Sequence, residues 1–238
     1  MQDQVKRGMN RTGLQMSPVD MQEMMKTAAE NVVADPKDFA AMREEYISEA
    51  DPIGSVPPPG TLKGVVTTGA KMLTGKHPEL FIDKLAERLA FERGGTRLYD
   101  GIIAKFNATD MDVPNVSLAD LTEIRNQEAA HFRLVAECLR SLGADPTAQT
   151  PSADLVGVET QGLMQAVTDP RTTFVDCLHA ALTAELTDVD SWGLLAMLAE
   201  NAGEDEMAQR FRRALDQERQ HRARVRGWYE ELVLGKAS

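Results

Sequence analysis

Glu128 and His131 stand three residues apart in EAAH, and Glu218 and His221 repeat that spacing in ERQH. On a helix, residues i and i+3 are neighbours on one face. A carboxylate and an imidazole so placed can ligate a metal ion or simply face water, and one such pair alone decides nothing. The surroundings narrow the choice. The first pair interrupts an apolar stripe of Leu121, Ile124, Val135, Cys138 and Leu142, the second one of Met207, Phe211, Ala214, Val225 and Trp228. Two further stripes carry a glutamate near mid-length. One runs Leu85, Leu89, Glu92, Thr96, Tyr99, Ile103; the other runs Phe174, Leu178, Ala181, Glu185, Asp188, Trp192, Leu195.

Four carboxylates on core-facing stripes cost several kcal/mol each, by order of magnitude, if nothing compensates them. Arginine is a poor remedy, because only Arg88 and Arg125 fall near these faces. Two divalent cations cancel four glutamates, and neutral imidazoles complete the coordination. One glutamate from each of two helices, plus Glu-x-x-His from each of two others, is the pattern of dinuclear carboxylate sites in helical bundles. The competing reading is a buried polar network without metal.

The elements that must position these residues are four long helices, expected near 78–107, 117–142, 171–201 and 204–233, each with apolar residues at 3–4 spacing. Ser117 is the cap expected for the second, and Gly203 is suited to end the third in a left-handed turn. The connection between the second and third is far longer than a bundle turn and holds one short helical stretch near 153–167. Short, long, short is the pattern of a bundle with one crossover, which makes the second and third helices parallel.

Residues 1–76 read as a helical arm with a Pro-rich tether, and residues 77–235 as the bundle. In the arm, residues 1–15 are polar and expected to be disordered. Ser17-Pro18 and Asp35-Pro36 open short helices, DPIGSVPPPG reads as extended polyproline, and TLKGVVTTGAKMLTG is weakly amphipathic. The 238 residues carry a net charge of −11 and 42 % hydrophobic residues. The acidic balance argues against a nucleic-acid surface. No apolar run approaches the roughly 20 residues of a membrane span, and the N-terminus lacks a signal-peptide core. A cytoplasmic protein without membrane contact is expected, with Cys138 and Cys177 as buried free thiols.

The remaining polar candidates divide. Tyr99 is either a redox or hydrogen-bonding tyrosine beside the metals or a core tyrosine with its hydroxyl satisfied. Asp188 is either an acceptor for a ligand histidine or a surface acid. Glu137 and His179 fall off the inward faces, and His77 reads as exposed. Trp192 and Trp228 read as core packing, and MQEMMK as an apolar contact face.

LAERLAFERGGTRLYD, EIRNQEAAHFRLV, CLHAALTAELTDVDSW and ALDQERQHRARV resemble the four metal-bearing helices of the ferritin-like superfamily, over about residues 78–233. The resemblance is nearest to small bacterial ferritin-like proteins of unassigned function. It implies an all-α, ferritin-like four-helix bundle holding two iron ions, with manganese as the other candidate. Glu128 and Glu218 would bridge, Glu92 and Glu185 would be terminal ligands, and His131 and His221 would each bind one metal. It implies oxidoreductase chemistry with dioxygen or peroxide as small-molecule substrate, of the ferroxidase or oxidase kind. The alternatives are manganese catalase-like activity, or a metal-stabilised structural or interaction protein without turnover. Residues 1–76 have no counterpart in the simple family pattern. A homodimer, formed through the bundle or the arm, is expected because two-fold assemblies are commonest.

Overall fold

The computed structural model describes residues 18–30, 36–51, 53–58, 78–109, 113 and 115–237. The readings made for residues 1–15, 61–75 and His77 lie outside the described residues. The chain divides after Ile53 into two units. In the first, α1 (Pro18–Glu30) and α2 (Pro36–Glu49) each begin at the expected proline, and Met24 and Met25 on α1 are exposed.

The second unit carries the bundle. Its long helices are α3 (Pro78–Ala108), α4 (Leu118–Ser141), α7 (Phe174–Ala202) and α8 (Asp205–Ala237). Ser117 caps α4 with a capping box to Asp120, and Thr173 caps α7 the same way with Asp176. Gly203 ends α7 at φ 77°, a left-handed conformation that glycine adopts without a Cβ clash. The crossover holds two short helices, α5 (Pro151–Glu159) and α6 (Gln161–Thr168), where the sequence pointed to one. Both pack on α3, and α6 comes close enough that a Cβ at Gly101 would overlap the Val167 side chain.

Helix α3 packs closely on α4, and α7 on α8. The backbones of α4 and α8 approach each other far less, and long polar side chains span the gap. Asn115 meets Glu231, Arg224 meets Asp120 and Glu123, and Arg210 meets Glu137, so α4 and α8 run antiparallel. The pairs Asp100–Arg125 and Glu92–His131 set α4 antiparallel to α3, and Tyr99–Glu185 with Glu92–Trp192 set α3 antiparallel to α7. It follows that α4 and α7 are parallel, as the long crossover requires. Among the described residues no helix is long and apolar enough to cross a membrane.

The core is two apolar clusters with a polar layer between them. One is centred on Ile102, Leu121, Ile124, Phe174 and Leu178. The other is centred on Leu85, Leu139, Trp192, Leu195 and Phe211. Cys138 and Cys177 are buried and unpaired, as expected. On α3 the buried position is Ile102 and not Ile103, which is only partly covered. The helical repeat of 3.6 residues drifts from the 3.5 of the heptad, so a stripe followed by alternating steps slips sideways over several turns.

Candidate metal centre

All six side chains singled out by spacing meet in the polar layer. Glu92, Glu128, Glu185 and Glu218 are each exposed by 1 % or less, and His131 and His221 by 3 % and 1 %. They form two overlapping groups. Glu92, Glu128, His131 and Glu218 make one; Glu128, Glu185, Glu218 and His221 make the other. Within each group the candidate ligand atoms lie within 4.8 Å of one another. Glu128 and Glu218 belong to both groups, and Glu92 and Glu185 to one each.

Both histidines turn Nδ1 inward. His131 Nδ1 lies 2.6 Å from Glu218 Oε1 and 3.7 Å from Glu92 Oε2. His221 Nδ1 lies 3.0 Å from Glu218 Oε2, 3.2 Å from Glu128 Oε1 and 3.8 Å from Glu185 Oε2. The two rings are 6.2 Å apart between centroids. Glu92 Oε2, Glu128 Oε2 and Glu185 Oε2 are buried and have no hydrogen-bond partner. A buried polar atom without a partner costs about 1–3 kcal/mol, and more when charged. Orphaned oxygens and a ring nitrogen aimed at one another form the donor set that hard and borderline divalent cations take. The residues therefore fit a dinuclear cation site.

The electrostatics tell the same story. Burial pushes Glu92 and Glu185 well above the ordinary carboxylate range, and Glu128 up to about 7. Glu218 feels the same burial, yet hydrogen bonds from both histidines hold it at about 2. Burial alone would lower the imidazoles. Glu218 reverses this for His131, raised to about 9, and Glu128 with Glu218 does so for His221, raised to about 10. Four acids crowded out of water cling to any positive charge within reach, here protons.

The outer oxygens are held by side chains from across the bundle. Tyr99 donates its hydroxyl to Glu185 Oε1. Burial and the Glu185 charge raise the Tyr99 phenol well above its usual range, so it stays a donor. Trp192 donates its indole N–H to Glu92 Oε1 at 2.8 Å, so it is a core residue with a polar task. Arg88, expected only near an inward face, lies within the core. It is 3 % exposed, with Nε 3.0 Å from Glu92 Oε1 and Nη2 2.5 Å from Asp188 Oδ1. Asp188 is likewise buried, and it serves Arg88, not a histidine. Arg125 stays outside, paired with Asp100. Glu137 and His179 lie on the surface as expected, Glu137 against Arg210 and His179 against the Tyr229 ring. Gly95 faces the site too, since a Cβ there would overlap Glu128 Oε2.

Besides Gly95, two glutamines escaped the sequence reading. Gln127 Oε1 lies 2.5 Å from His221 Nε2, and Gln217 Oε1 lies 3.0 Å from His131 Nε2. The available signal was a longer repeat, since both Glu-x-x-His segments are preceded by glutamine, in QEAAH and QERQH.

Residues 76–238 match the family model described as "Domain of unknown function (DUF892)". Among solved structures, the bacterioferritin-related protein of Bacteroides fragilis, described as a dodecameric thioferritin, is similar. The identity is 18 %, the match covers 72 % of this chain and 97 % of that one, and the TM-score is 0.52. That likeness shows a ferritin-like fold. No curated protein sequence matches the chain.

Proposed function

The chain belongs to the DUF892 family, and from that bundle and its buried acids we propose a dinuclear metalloprotein. Glu92, Glu128, His131, Glu185, Glu218 and His221 hold two divalent cations, iron before manganese, for reaction with dioxygen or peroxide. The observation that carries this reading is the set of orphaned carboxylate oxygens converging in a layer sealed from water. Four carboxylates balance two divalent charges, while Arg88 and Asp188 balance each other.

When bound, a pair of such metals supplies Lewis acidity and, for iron or manganese, electrons to an O–O bond. The chain's own groups divide the remaining work. Glu128 and Glu218, common to both groups, face both positions. Tyr99, Trp192 and Arg88 fix the terminal carboxylates from outside, so that each turns its other oxygen inward. The apolar clusters above and below exclude water from the layer.

Elemental analysis of the protein as purified should give about two iron or manganese ions per chain. Anaerobic loading with Fe(II), followed by oxygen or peroxide, should change the near-ultraviolet and visible absorption. Binding of two ions with a raised melting temperature but no spectral response to either oxidant would favour the other role, a metal staple for the bundle. A chain that takes up no divalent ion would overturn both.

A further inference from the structure

We propose that Gln127 and Gln217 are positioning residues, each fixing the imidazole supplied by the opposite helix. The inference rests on the dinuclear reading above. An imidazole that ligates through one nitrogen carries its proton on the other, and the group facing that second nitrogen decides which tautomer forms. Here Nδ1 of both rings faces the carboxylates, and Nε2 of both rings faces a glutamine carbonyl oxygen. A carbonyl oxygen can only accept. Each contact therefore holds a proton on Nε2, so that when a metal displaces the proton on Nδ1 the lone pair left there is directed at the centre.

The antiparallel register makes the arrangement reciprocal. Gln127 on α4 meets His221 on α8, and Gln217 on α8 meets His131 on α4. Each glutamine immediately precedes a glutamate common to both groups, so its side chain leaves the helix about 100° round from that glutamate. This direction points along the wide α4–α8 gap, where the tip of the facing imidazole emerges. Both glutamines are half-buried, so water competes only in part for the contact. The neutral amide also fits the charge balance. A carboxylate, one of the commoner partners for a ligand histidine, would add two negative charges that two divalent cations do not cancel.

Each Gln-Glu-x-x-His segment thus ligates with its own glutamate and histidine and orients the histidine of the other. The test is titration calorimetry with Co(II), with visible absorption to report the ligand number, on the full chain. The unaltered protein binds two Co(II). Gln127→Leu and Gln217→Leu each weaken one of the two by 10- to 100-fold, the range typical when a ligand histidine loses its outer partner. Gln127→Glu and Gln217→Glu, which restore an oxygen acceptor of the same reach, recover most of that loss. Melting of the metal-free leucine variants stays close to that of the unaltered chain.

The crosswise assignment makes a sharper demand. Adding Gln127→Leu to His221→Ala costs little more, whereas adding it to His131→Ala costs the full 10- to 100-fold. Unchanged Co(II) affinity in both leucine variants, or additivity of Gln127→Leu with His221→Ala, overturns the inference while leaving the metal centre standing. Failure of the unaltered chain to bind two Co(II) overturns the dinuclear reading instead, and the inference with it.

Discussion

Around Glu92 the chain places Arg88 one turn before, and three residues after Glu185 it places Asp188; the equivalent positions in the other half hold Ala181 and Gly95. Much else is matched. Each terminal glutamate is followed seven residues later by an aromatic donor that reaches across to the other, Tyr99 to Glu185 and Trp192 to Glu92. Each Glu-x-x-His is preceded by a glutamine that reaches across to the other histidine. The plan is two-fold, and the departures from it fall on one side. Glu92 Oε1 is shared between an indole and a guanidinium, whereas Glu185 Oε1 meets a neutral phenol. A cation beside Glu92 thus has the positive end of the Arg88–Asp188 pair nearest, whereas Glu185 meets no guanidinium and feels the Asp188 charge. The two positions have the same ligand types and different fields, so the Glu185 position should fill first.

The comparison can be broken most completely by removing what the halves share. Glu128→Ala or Glu218→Ala should take the metal-to-chain ratio from about two to below one by elemental analysis, because each carboxylate serves both groups. Loss of only one ion would mean that neither is common to the halves. Next come the residues that differ. Arg88→Ala leaves Asp188 buried without its partner and should cost about 3–5 kcal/mol in denaturant unfolding. Arg88→Met with Asp188→Leu removes the pair together and should be near neutral or stabilising. In the double variant two resolved Co(II) binding steps should merge toward one; steps as far apart as before would show that Arg88 does not set the asymmetry.

On the other side, Gly95→Ala should displace the Glu128 carboxylate and weaken Co(II) binding by about 10-fold or more, an effect of the size seen when ligand orientation is lost. Its metal-free stability should change by no more than about 1 kcal/mol, since alanine is the better helix former. A variant with undiminished affinity would show that the missing Cβ is not what seats Glu128.

The smallest effect is a slope. In the metal-stripped protein His131, His221, Glu92, Glu128 and Glu185 all bind protons more tightly folded than unfolded. The folded chain then holds the more protons, and stability falls as pH rises. For the histidines that stabilisation is complete below about 6.5 and is lost through about 9 to about 10. Glu218 has the opposite sign, and only between 4.5 and about 2. Cations compete with those protons, so metal affinity should rise over the range in which the stripped protein loses stability. Melting curves of the stripped protein that rise from neutral to alkaline pH would contradict the proton assignment.

The glutamates and histidines were legible in the sequence because a charged residue on an apolar stripe stands out against its neighbours. The helix limits were legible because Ser117, Gly203 and the helix-opening prolines act locally. Arg88 was placed near an inward face but not in the core, because a stripe describes one face, and the close packing of α3 on both α4 and α7 buries a wider arc than one stripe. Asp188 lay on the α7 stripe, but only the position of Arg88 decides which partner it takes. Gln127 and Gln217 were missed for the opposite reason. Being polar and one step off the stripe, they look solvated unless the wide α4–α8 spacing and its register are known.

The polar layer between two apolar clusters also bears on how the bundle chooses its alignment. Leucine and alanine tolerate a helix sliding by one turn, roughly 5.4 Å, because one greasy contact replaces another. The crosswise donors do not. A slip of α8 against α4 would carry Gln217 away from His131 and His221 away from Gln127 in the same movement. It would also carry Glu218 out of the polar layer and among hydrocarbon. As a lone asparagine does in a coiled coil, the layer makes every misaligned packing costly, so the same residues that hold the centre also key the helices into a single axial setting.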